Sequence, residues 1–344
     1  MAYTTIDNSA DYFNTKLYTG NGSTQSITGV GFQPDWVWIK VRSQAHNHYL
    51  YDAVRGAQEK LSSNTNGAEI DMGSTGLTAF NSDGFSIGND TDENASGETY
   101  ASWNWKAGGS ASSNSDGSIT SSVSANTTAG FSIVSWTGTG SAATIGHGLG
   151  AVPTMIMVKN RDQADDWYCY NVHNGNTHSI LLNSTGAKVG AYTDNWNDTT
   201  PTSSVFSVGG SHATSGGSSE NMIAYCFTDI KGYSKVGSYV GTGSDVFIHT
   251  GFNVGWLLIK NASDTNGWLI IDTKRSPANP QGKYIYANAN SAEGTVTYGE
   301  FFSNGFGWKG TSSVAVNQSG NTFIYLAIAE SPFVNSNGVP TNAR

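Results

Sequence analysis

Trp36-Val-Trp-Ile-Lys40, Met155-Ile-Met-Val-Lys159 and Trp256-Leu-Leu-Ile-Lys260 are one apolar strand, closed by lysine, written three times. Upstream of each lies an aromatic residue leading into a Gly-x-Gly-Ser turn: Tyr18-Thr-Gly20-Asn-Gly22-Ser23, Trp136-Thr-Gly138-Thr-Gly140-Ser141 and Tyr239-Val-Gly241-Thr-Gly243-Ser244. Twelve residues after each lysine stands Asp52, Asn171 or Asp272, and an Asn-x-x-x-Ala turn follows at Asn64, Asn183 and Asn288. Phe85, Phe206 and Phe306 occupy a later strand, and each copy closes on Trp103-Asn-Trp105, Tyr225-Cys-Phe227 or Leu326-Ala-Ile328. Landmarks in one order at nearly constant spacing identify an internal repeat. They divide the chain into copies at residues 1–109, 110–232 and 233–344, with the Gly/Ser-rich residues 107–126 expected as a linker between the first two.

The composition says what each copy is built from. Across 344 residues there are 42 Gly, 10 Trp and 16 Tyr, while charged residues make up 12%. Aromatic and β-branched residues in short runs, separated by Gly, Asn and Ser, predict strands rather than helices. The expected fold is all-β: three tandem antiparallel β-sandwiches of jelly-roll or lectin-like type, strung as beads that can lie side by side. The i, i+2 pairs Trp36/Trp38 and Trp103/Trp105 are expected in the core, because the other copies keep those positions apolar.

Charge excludes some functions. The net charge is −9 and no basic run exceeds two residues, so nucleic acid is not an expected partner. An acidic shell argues equally against docking on anionic membranes. The start of the sequence has neither the basic nor the apolar segment of a secretory signal, and no apolar run is long enough to span a membrane.

Candidate chemistry is sparse. Asp90, Asp92 and Asn94 have the alternate-oxygen spacing that opens a Ca²⁺ loop, but the later ligands of such a loop are missing. Trp196 and Trp308 stand beside turn residues and are the expected exposed stacking surfaces for sugar. Glu69-Ile-Asp71 resembles the start of a glycosidase carboxylate strand, but its second Glu is absent. His46 and His48 would share one strand face, without a third ligand for zinc. Asp52-x-x-Arg55 and Asp272-x-x-Arg275 read as loop braces or, more sharply, as an anion or sugar site. Cys169 and Cys226 are expected as two free thiols, paired only if their strands face one another. No set of residues requires a cofactor.

Four passages resemble a tandem β-sandwich domain that recurs in marine and cyanobacterial phage virion proteins. They are residues 19–40, residues 118–126, residues 130–161 with Gly146-His-Gly-Leu-Gly150 at their centre, and residues 225–239. The resemblance implies a virion location and a repeat architecture, and carries no catalytic residues. The expected function is therefore a non-enzymatic virion surface protein, a head decoration or a tail appendage or fibre, touching host surface polysaccharide. Its expected partners are other virion proteins, reached through the N-terminal arm, and further copies of itself as a homo-oligomer. A free carbohydrate-binding module or adhesin is the alternative, followed by a glycan depolymerase. Residues 90–94, 194–198 and 277–283, where the copies diverge, are the loops expected to carry any specific binding.

Overall fold

A computed structural model describes residues 3–190 and 193–341. Apart from short helical turns, its secondary structure is antiparallel strands. Each copy contributes one large sheet. In the first, the strands Phe13–Thr19, Thr99–Trp105, Trp36–Val41, Tyr49–Asp52, Gly56–Leu61 and Ile70–Asp71 lie side by side in that order. The third repeats this order from Ser234–Val240 to Gly294–Thr295. The second does so from Phe131–Thr137 to Val189–Gly190, and adds Ser112–Asn114 and Ser121–Asn126 at one edge. The serine-rich expected linker is thus strand in two stretches. Val123, Ser121 and Ser124 are buried there, and pairing with a formed sheet outweighs the weak strand preference of serine.

A small sheet covers the outer face of each large one: Gln25–Thr28 with Gly84–Ile87 and Leu77–Asn81, Ala143–Gly146 with Val205–Val208, and Val246–His249 with Gly305–Trp308 and Gly299–Phe302. Phe85, Phe206 and Phe306 fill the three separate cores between these layers.

The inner faces change the expected picture of beads. Trp36, Trp38, Trp103 and Trp105 from the first copy share one cluster with Met155, Met157 and Tyr225 from the second and Trp256, Leu258 and Leu326 from the third. The Trp36 ring stacks on Tyr225 at 4.2 Å between centroids, and Trp105 meets Trp256 edge-on at 5.4 Å. The large sheets are therefore middle layers, buried on both faces and closed around one common core. This explains why the lysine-ended strands are apolar at successive positions instead of alternating.

The N-terminal segment closes the assembly. Ile6 enters the common core, the Tyr3 hydroxyl donates to the Gly251 carbonyl, and Asp7 accepts from the Ser336 amide and hydroxyl at 2.6 Å. Residues 3–11 are part of the body and do not form a projecting arm.

Candidate functional site

The polar residues that the repeat places at equivalent positions come together at the boundaries between copies. There they form three seams with one geometry.

In the first–second seam, the Tyr225 hydroxyl donates to Asp52 Oδ2 at 2.8 Å. The same carboxylate oxygen accepts Arg55 Nε at 2.5 Å, and Arg55 Nη1 reaches Glu69 at 2.8 Å. Arg161 crosses from the second copy to grip Glu69 through Nε and Nη2. The first–third seam repeats this. Trp103 Nε1 donates to Asp272 Oδ2 at 3.0 Å, Arg275 Nε donates to the same oxygen at 2.6 Å, and Arg42 forms two bonds with Glu293 at 2.9 and 3.0 Å. Arg55, Arg275, Asp52 and Asp272 have fully buried side chains, where paired, hydrogen-bonded charges are the tolerable arrangement. The Asp-x-x-Arg motifs are braces, and their carboxylates also accept from a neighbouring copy.

The second–third seam has the same positions filled by other residues. Leu326 replaces the donor, Asn171 and Asn174 replace Asp and Arg, and Ala262 faces Lys188 where the others have Arg and Glu. The Asn171 amide nitrogen donates to no described acceptor, as expected opposite leucine. The main chain is unchanged across all three: Glu69, Lys188 and Glu293 donate their N–H to the carbonyls of Arg161, Ala262 and Arg42 at 2.7, 3.0 and 2.8 Å. A ring N–H also crosses every seam. Trp167 Nε1 donates to Ser62 O at 2.8 Å, Trp268 Nε1 to Leu181 O at 2.9 Å, and His48 Nε2 to Tyr286 O at 2.9 Å. The turn asparagines Asn64, Asn183 and Asn288 hold these three rings by accepting their backbone N–H.

His48 is neutral in this role. Its Nδ1 accepts Trp38 Nε1 at 2.8 Å, which leaves the proton on Nε2, and burial drives its pKa well below the usual value. His46 turns instead to Asp92, with Nδ1 2.6 Å from Oδ1. The two histidines do not share a face, because residues 45–48 precede the strand Tyr49–Asp52 and lack its alternation.

Lys40, Lys159 and Lys260 are fully buried and point their amines at carbonyls. Lys40 donates to Val41 and Gln44 within its copy, and Lys159 to Asn160 and Gln163. Lys260 donates to Asn266 at 2.6 Å and, across the second–third seam, to Thr185 at 3.0 Å. Burial lowers each amine to about 8.

The expected sugar platforms are corrected. Trp196 is 1% exposed, lies in the helical turn Thr193–Trp196 and donates to Ser179 Oγ at 3.0 Å. Trp308 is also 1% exposed, on the inward side of its strand with Phe306, and donates to the Tyr239 hydroxyl at 2.6 Å. A neighbouring turn exposes neither tryptophan, because both indoles fill sandwich cores.

The expected Ca²⁺ loop is corrected too. Residues 91–94 form a helical turn capped by Asp90, which accepts Asp92 N at 2.9 Å. Asp92 accepts from Tyr49 and pairs with His46. Asn94 is buried, accepts Asn21 N at 3.0 Å and donates to Ser23 and Gly88 carbonyls. Asn317 does the same in the third copy, with Thr242, Ser244 and Thr311. The three oxygens are thus engaged in different directions, and no cluster of three or more His, Cys, Asp or Glu placed to hold a metal occurs among the described residues.

Glu69 carries two guanidinium partners, while Asp71 sits on an exposed edge strand and accepts Gly73 N. Cys169 faces the common core and Cys226 the second sandwich core, on opposite faces of one sheet, so both are free; burial raises both thiols. No helix among the described residues is long and apolar enough to cross a membrane.

Against known proteins, residues 8–332 match the family described as "Domain of unknown function (DUF7483)". No curated protein matches the chain.

Proposed function

The chain belongs to the DUF7483 family, and from that premise and its own geometry we propose that it is a non-catalytic surface protein of a bacteriophage virion, a head decoration or tail appendage. The observation that carries this reading is the use of the repeated polar residues. The buried Asp, Glu, Arg and His that equivalent positions bring together join one copy to the next, which is the work of a rigid building block. Such braces hold their geometry through mutual hydrogen bonds, and the Asp, Glu and Arg side chains in them are engaged with one another. The resemblance in residues 19–40 and 130–161 supplies the virion setting. Its partners on this reading are other virion proteins, further copies of itself, and host surface polysaccharide. Residues 3–11 are already engaged within the body, which favours attachment through exposed surface. Mass spectrometry of purified particles tests the proposal. Many copies per particle are expected, and absence from washed particles removes it.

A further inference from the structure

The outer face of the third small sheet differs from its two counterparts at one spot. Strand register makes Ser26, Thr144 and Phe247 equivalent, facing Ser86, Ser207 and Gly307 across the ladder. In the first copy the spot is a closed polar set: Ser26 and Ser86 hydroxyls lie 3.3 Å apart, and Asn81 Nδ2 donates to Ser86 Oγ at 2.8 Å. In the second, residues 118–119 cover it: the Ser118 amide donates to Thr144 Oγ1 at 2.8 Å, and Ile119 bridges to Ile145. In the third, neither device is present. Phe302 replaces Asn81, Glu300 replaces Ala79, and Gly307 replaces the serine.

The glycines let the aromatic rings lie on the sheet. A Cβ on Gly305 would meet the Phe247 ring at 2.9 Å, and one on Gly307 would meet the Phe302 ring at 3.1 Å. The two rings touch edge to face at 5.6 Å. Phe247 is nonetheless 51% exposed, where its counterparts are small polar residues. A phenyl group held open to water in this way forms a ready apolar platform. Asp245, Glu300 and Lys309 rim it in an open groove of about 400 Å³. Phe247 also walls a second groove of about 510 Å³ that runs to the second copy at Val172.

We propose that the Phe247–Phe302 platform binds a neutral oligosaccharide. A pyranose ring offers a face of C–H groups that packs on a phenyl ring, and equatorial hydroxyls that donate to carboxylates at the rim. Asp245 and Glu300 outnumber Lys309 around the first groove, and Asp229 offsets Lys235 in the second, so the two grooves together present net negative charge to a ligand; an anionic sugar is disfavoured and a neutral one accepted. Two grooves sharing Phe247 accommodate more than one sugar unit. The inference deepens the surface-protein reading and rests on it for the source of the glycan.

The test is a glycan array with the purified full chain, followed by titration of the best neutral oligosaccharide. Phe247→Ala is expected to weaken binding roughly tenfold or more, the scale set by loss of one aromatic contact with its buried area. Val240→Ala, which trims another exposed apolar side chain, is expected to leave binding unchanged. An unchanged melting midpoint in Phe247→Ala confirms that its fold is intact. Absence of neutral-glycan binding, preference for acidic glycans, or equal binding by Phe247→Ala overturns the site. Particle proteomics is independent of this result: a chain found on virions that binds no glycan loses only the site, and a chain that binds glycan but is absent from virions loses only the setting.

Discussion

Two seams of this molecule are braced by buried ion pairs and the third has asparagines in their place, yet all three have the same main-chain geometry. Where Tyr225 or Trp103 offers a donor, the facing position is Asp52 or Asp272, backed by Arg55 or Arg275. Where Leu326 offers none, the facing residues are Asn171 and Asn174. The arginine, the aspartate and the cross-seam donor are thus present together or absent together. The Arg161–Glu69 and Arg42–Glu293 bridges follow the same division, with Ala262 and Lys188 in their place. Charge is therefore not what sets the arrangement. Apolar burial in the common core, the crossing ring N–H and one backbone hydrogen bond are common to all three seams, and the charged sets are alternative fillings that must be complete.

The largest effect that tests this contrast is expected from breaking a charged set by half. Asp52→Ala removes the carboxylate that Arg55 Nε donates to, leaving the buried guanidinium with Glu69 as its remaining carboxylate partner, and leaves the Tyr225 hydroxyl without its acceptor. A loss of about 3–5 kcal/mol is expected, read from denaturant unfolding. Converting the set to the neutral filling is expected to cost less. The double change Asp52→Asn with Arg55→Asn should be milder than Asp52→Ala alone, and a double change that is merely the sum of its parts would break the equivalence of fillings. Trp268→Phe removes the donor to Leu181 O in the second–third seam. A cost of about 1–3 kcal/mol is expected from the carbonyl left unpaired, together with lost packing.

The smallest effect at neutral pH concerns an ionisable group that one copy alone carries. Glu93 is buried in the first sandwich, where Thr214 and Val316 are its equivalents, and burial raises its carboxyl to about 8. The folded state therefore holds a proton that the unfolded chain releases near 4.5. The contribution to stability is complete below that lower value and is lost as pH rises through about 8. Glu93→Gln is expected to flatten this fall in unfolding free energy between about pH 4 and about pH 9, limits that bracket the titration. An unchanged slope would assign the proton elsewhere.

Much of the layout is legible in the residues. The lysine-ended strands, the Gly-x-Gly-Ser turns and the Asn-x-x-x-Ala turns mark the strands and tight turns because backbone conformation constrains them locally. The closing of three sheets on one core is less legible, since the partner of an inner face lies in another copy. One signal does point to it. Trp36-Val-Trp-Ile39 is buried on both faces, and a strand with one face in water would alternate. Exposed aromatic surface is hard to find in the residues for a related reason. The turn residues beside Trp196 and Trp308 suggest open indoles, but the layer opposite an indole decides its exposure. Phe247 carries no local signal at all; only the cross-strand register, which aligns it with Ser26 and Thr144, marks it as the exception.

The three seams form a closed cycle, second to first, first to third, third to second. In a linear chain of modules, a ruptured contact sets its neighbours adrift. Here the two intact seams and the shared core hold the separated faces within reach, so the broken one re-forms as an intramolecular reaction at high effective concentration. Each seam borrows persistence from the other two, and the seam without ion pairs can be individually weak without becoming a point of failure.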